Sequence, residues 1–85
     1  MNLDVVQSMI NNSTWIDPEH DRVYRFDNGK HLSINGKNHL VYSLQSTNNK
    51  IVLQLGPKDC YYVDYVNDFL LHLYNDAEKF RITPE

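Results

Sequence analysis

The chain has 85 residues and a mass of 10.0 kDa, too short for a catalytic barrel or a doubly wound nucleotide fold, and it leaves room for one modest core. With 41% hydrophobic and 22% charged residues it lies outside the composition of disordered segments, and no apolar run approaches the roughly 18 residues of a membrane helix. Eight Lys and Arg against 11 Asp and Glu give a net charge of -3, so there is no basic field for a phosphate backbone, and neither nucleic acid nor a membrane is an expected partner.

Residues 1–12 open the chain with a helical pattern. Leu3, Val6 and Ile10, with Val5 and Met9 beside them, share one side of a short helix, and Asn11-Asn12-Ser13 would end it. No cationic stretch followed by an apolar one marks a secretory leader. The single cysteine, Cys60, has no internal partner, whereas small domains of oxidising compartments usually carry several bridges; a cytoplasmic protein is expected. On that expectation the glycosylation acceptor pattern Asn12-Ser13-Thr14 is a chance match.

From residue 13 onward the apolar period is two, punctuated by Asn, Gly, Asp or Pro, which reads as strands and turns. Strands are expected near Thr14 to Asp17, Arg22 to Phe26, Lys30 to Ile34, Asn38 to Gln45, Lys50 to Leu55, Cys60 to Val66, Phe69 to Tyr74 and Glu78 to Thr83. Connections this short exclude parallel crossovers, so the strands must meander antiparallel. Closure removes both sheet edges and buries the inward row. The expected fold is therefore mainly β: an antiparallel up-and-down meander of about eight short strands, closed into a small barrel over residues 13–85, with the N-terminal helix capping one end of a single domain.

Parity tests the registers, because residues opposite each other in an antiparallel pair point to the same face. A three-residue loop Asn35-Gly36-Lys37 sets Leu32 against Leu40, whereas a two-residue turn would put His39 there. The loop Asn28-Gly29-Lys30 likewise sets Phe26 against Leu32. A four-residue loop, Ser46-Thr47-Asn48-Asn49, brings Leu44 to Ile51. The inward list is Trp15, Tyr24, Phe26, Leu32, Ile34, Leu40, Tyr42, Leu44, Ile51, Leu53, Leu55, Tyr61, Val63, Phe69, Leu71, Leu73, Phe80 and Ile82.

Ser13-Thr14-Trp15 in the first strand, Tyr24-Arg25-Phe26-Asp27-Asn28-Gly29 at the first hairpin, and Tyr61-Tyr62-Val63-Asp64-Tyr65-Val66 followed by Leu71-His72-Leu73 resemble small bacterial lipocalin-like domains. The likeness spans roughly residues 13 to 83. It implies a barrel whose floor is closed by the first-strand tryptophan, Trp15, with an arginine near the last strand, Arg81, packed on the indole. Where that family has a glycine two residues before the tryptophan, this chain has Ser13, and it is about half the length of a ligand-carrying lipocalin.

Candidate chemistry is sparse. Asp17-Pro18-Glu19-His20-Asp21-Arg22 concentrates carboxylates and an imidazole, but the proline and polar run read as a solvated turn, without the glycine and oxygen ligands of a calcium loop. Asp27, His31 and His39 approach one another on the outer face, the default place for polar residues, and no metal is expected there. Cys60 has no base beside it, and catalytic glycine and nucleophile motifs are missing, so neither an enzyme nor a cofactor is expected.

Two binding modes follow. In the first, a non-enzymatic binding module holds a small apolar molecule among Trp15, Tyr24, Phe26, Tyr42 and Phe80. In the second, the barrel fills itself, and outward residues Tyr62, Tyr65, Leu70 and Tyr74 meet a protein partner or form a homodimer. A five-stranded oligonucleotide-binding barrel is a third reading, opposed by the acidic balance.

Overall fold

A computed structural model describes residues 2–67 and 70–85, without the side chains of Asn38, Tyr65 and Val66. The elements run α1 (Leu3–Ile10), β1 (Ser13–Asp17), β2 (Arg22–Asp27), β3 (His31–Ile34), β4 (Lys37–Thr47), β5 (Lys50–Leu55), β6 (Asp59–Asn67), β7 (Leu70–Tyr74) and β8 (Lys79–Pro84). The eight strands form a closed antiparallel barrel in chain order, shut where β8 meets β1. This is the meander that the alternation predicts.

Two strands turn the corners. β4 pairs with β3 through residues 37–41 and with β5 through residues 42–47. β8 pairs with β7 through Lys79 to Ile82, then with β1 through Thr83 and Pro84. Strands shared between two sheet halves let a barrel bend sharply while every strand keeps two neighbours.

Asparagine makes most of the turns. Asn12, Asp21, Asn28, Asn35, Asn48 and Asn49 all adopt positive φ, a region their short polar side chains tolerate better than most residues do. At Asn35-Gly36 both residues are left-handed, with φ of 54° and 72°, which gives a two-residue turn matching the strand twist. The expected three-residue loop is therefore corrected. Ile34 pairs with Lys37, and Asn38 and His39 together then stand opposite Ser33 in a bulge. That bulge restores the predicted pairing of Leu32 with Leu40.

The Asn48-Asn49 turn also has two residues rather than four, because both asparagines adopt positive φ and the strands run on to Thr47 and Lys50. Leu44 consequently faces Leu53, not Ile51, although the shift of two preserves its parity. The Asn28-Gly29-Lys30 loop sets Phe26 opposite Leu32 as expected.

Fourteen of the predicted inward side chains are buried, from Trp15 through Ile82, while Ile34, Leu40 and Leu44 pack on their margin. Phe69, the remaining inward expectation, lies outside the described residues. Helix α1 adds Val6 and Ile10, both fully buried, and leaves Val5 exposed. The Asn2 side chain accepts from the Asp4 amide and starts the helix, and Asn11 ends it. No helix among the described residues is long and apolar enough to cross a membrane.

Candidate functional site

The barrel interior is an aromatic stack. Phe26 meets Tyr42 edge-on at 4.8 Å, Tyr61 meets Phe80 edge-on at 5.1 Å, and Tyr24 lies between Phe26 and Phe80 at 6.4 and 6.5 Å. Trp15, Tyr24, Phe26, Tyr42 and Phe80, the five residues expected to line an apolar ligand site, are all within 3% of full burial. Four of them are in ring contact with one another, so a guest would have to displace aromatic packing.

One end of this stack is sealed by α1. The Trp15 indole N–H donates to Ser13 Oγ at 2.9 Å, and the Ser13 hydroxyl is held by the carbonyls of Met9 and Ile10. Tyr42 donates to Asn11 Oδ1 at 2.6 Å, and the Asn28 amide donates to Asn12 Oδ1 at 2.9 Å. The helix terminus is thus stitched to β4 and to the turn between β2 and β3. Burial, reinforced by the charge of Asp27, pushes the Tyr42 phenol above its ordinary pKa.

The opposite end is closed by charge. Asp17 is fully buried, and its carboxylate accepts from the Glu19 and His20 amides, from His20 Nδ1 at 2.8 Å and from Arg22 Nη2 at 2.7 Å. The Arg22 guanidinium lies 5.0 Å from the centre of the Phe80 ring and 3.6 Å from Glu78 Oε1. Tyr61 donates to Glu78 Oε1 at 3.1 Å. Burial opposes ionisation of Asp17, but hydrogen bonds from Arg22 and His20 outweigh it and leave the pKa below 3.8. Burial raises the Tyr24 pKa to about 12, and burial together with Glu78 raises that of Tyr61.

Sequence reasoning did not anticipate this plug. The signal was present: Asp17 shares parity with Trp15, Arg22 with Tyr24 and Phe26, and Glu78 with Phe80 and Ile82, so three inward rows end in charge at the same mouth. The turn at residues 18–21 is exposed as expected, yet its first carboxylate is not solvated. The expected packing of Arg81 on Trp15 is also corrected. Arg81 pairs with His72 across the outer face and reaches Glu19 at 3.8 Å, while Trp15 points inward.

Among the outward residues, Tyr62 and Tyr74 are directly opposite, with ring centres 5.4 Å apart. Lys50 Nζ lies 5.1 Å from the Tyr62 ring centre. Leu70 is half-buried at the far end of β7, with His72 between it and Tyr74. A bulge at Asp64 puts the Tyr65 backbone opposite His72; the placement expected for the Tyr65 side chain lies outside the described residues. Asp27 does lie opposite His31, but its carboxylate accepts from Arg25 Nε at 3.2 Å, and no cluster of three metal-ligating side chains occurs among the described residues. Cys60 is exposed on the outer face.

Beside the tyrosine pair, the outer surface of β4, β5 and β6 is hollowed into a groove of about 320 Å³. Val52 occupies its middle strand, flanked across the ladder by Gln45 and Tyr62. Comparison with known proteins finds no family model, no curated protein and no solved structure that matches the chain. The geometry alone therefore carries the functional reading.

Proposed function

We propose that the protein is a non-enzymatic interaction domain: the barrel is a solid scaffold, and its outer face around Tyr62 and Tyr74 meets another protein surface, in the simplest case a second copy of the chain. The observation that carries this reading is the mutual packing of Tyr24, Phe26, Tyr42, Tyr61 and Phe80, which occupies the space an apolar guest would need. Tyr62 is 40% exposed and its ring lies tilted against that of the half-buried Tyr74, so two amphipathic rings sit side by side at the surface. Preordered aromatic side chains of this kind lose little entropy on contact. A small domain also gains stability by covering such a surface.

Membership of the lipocalin-like group belongs to the same proposal. A helix ahead of the first strand and a buried Trp15 in that strand support it, and the outward course of Arg81 counts against it. A cytoplasmic location rests on the lone, unbridged Cys60.

Light scattering across a concentration series tests the reading. The weight-average mass is expected to rise above 10.0 kDa with concentration, and the double substitution Tyr62→Ser with Tyr74→Ser to hold it there. A strict monomer at the highest concentration overturns the homodimeric form. Quenching or a shift of Trp15 fluorescence on titration with a fatty acid would restore the apolar-ligand reading.

A further inference from the structure

The groove on β4, β5 and β6 differs in chemistry from the tyrosine pair beside it. The outside of a small barrel is normally convex, and here it is concave where the short Ser43, Val52 and Cys60 lie among the longer Gln45, Lys50, Gln54 and Tyr62. Gln45, Val52 and Tyr62 form one row across the three strands, and Ser43, Gln54 and Cys60 form the next. Val52 and Gln54, half-buried on the middle strand, line it together with the exposed Gln45 and Tyr62. The volume, about 320 Å³, is at the lower limit of small-molecule sites.

We propose that this groove binds a neutral polyhydroxylated ligand, a saccharide unit. Its polar lining consists of the hydroxyls of Ser43 and Thr47 and the amides of Gln45, Asn48 and Gln54, the last already donating to the Gly56 carbonyl at 3.1 Å, and among the described residues Lys50 is the one charged side chain in it. Hydroxyls and carboxamides both donate and accept, as sugar hydroxyls do, whereas a charged ligand requires fixed counter-charges. An anion would meet a single ammonium, already seated over the Tyr62 ring, and a cation would meet no carboxylate in the lining. Val52 supplies the apolar contact that the C–H face of a pyranose needs, beside Tyr62, over whose ring Lys50 already lies. The inference is independent of the protein-partner reading and shares only Tyr62 with it.

Amide-resolved NMR titrations with glucose, N-acetylglucosamine and cellobiose test it. At least one sugar is expected to shift amides within residues 43–47, 50–54 and 60–62, weakly but saturably. Val52→Phe, which puts a larger side chain into the middle of the groove, is expected to abolish those shifts. Tyr62→Ala is expected to weaken binding by about tenfold or more. Gln54→Ala provides a second reading if Val52→Phe unfolds, and it separates the two proposals: it leaves the tyrosine pair in place and is expected to weaken sugar binding without changing how the mass rises with concentration. The assignment is overturned if no sugar shifts these amides at millimolar excess, if the shifts map elsewhere or survive Val52→Phe, or if glucose 6-phosphate binds more tightly than every neutral sugar.

Discussion

The two mouths of the barrel are closed by opposite means. At one, α1 lays Val6 and Ile10 over the core, and Asn11 and Asn12 stitch the helix to the rim. At the other there is no helix among the described residues, and Asp17, Arg22, Glu78 and Tyr61 bond across the opening. An apolar lid depends on area removed from water, which is indifferent to pH, whereas a charged plug depends on protonation states. The difference shows how a domain this small seals a ring of strands with one helix instead of two.

The largest expected effect is at the lid. Ile10→Ala removes a fully buried side chain and should cost about 3 kcal/mol, read as a lower urea midpoint of equal size at pH 5 and pH 7. Asp17→Asn at the plug should cost about 2 kcal/mol at neutral pH, less than a fully buried pair because Arg22 keeps some exposure and has Glu78 nearby. Its dependence on pH is the sharper test. The folded pKa of Asp17 lies below 3.8, so its contribution is complete above that value and is lost as pH falls through the folded pKa. Wild-type and Asp17→Asn midpoints should therefore converge in acid, and a constant gap would refute the account of the plug.

Alkali breaks the interior from the other side. Tyr24 ionises near 10.0 when unfolded and at about 12 when buried, so its neutral form stabilises the fold below the first value and that contribution is lost as pH rises through the second. The share of tyrosinate absorbance that comes from the buried tyrosines should rise together with the loss of near-ultraviolet dichroism. Tyr42→Phe, which deletes one hydrogen bond to Asn11, should cost about 1 kcal/mol and speed amide exchange in α1. Arg81→Ala should change stability by less than about 0.5 kcal/mol, because both it and Glu19 are exposed; a larger loss would mean that the outer pair contributes to the plug.

The barrel was legible because period-two burial recurs in every strand, and because a wrong register would have put His39 rather than Leu40 beside Leu32. The turns were less legible. Alternation constrains parity but not length, so Leu44 could face Ile51 or Leu53 without moving a side chain to the wrong face. Only the left-handed backbone of Asn48 and Asn49 decides between them. The plug was missed for a different reason. Polar residues next to a proline read as solvent-facing, and that local signal outweighed the parity linking Asp17 to Trp15. Of the binding expectations, the cross-strand meeting of Tyr62 and Tyr74 followed from parity. The groove did not, since it depends on the relative lengths of side chains on three strands.

Closure in chain order also bears on how the molecule assembles. Seven of the strand pairings join successive segments, and one, between β1 and β8, joins segments separated by most of the chain. Hairpins can zip locally within microseconds, whereas that last seam requires the ring to come round on itself. Trp15 sits on the seam opposite Pro84, so the sole indole serves as a built-in clock for the final step.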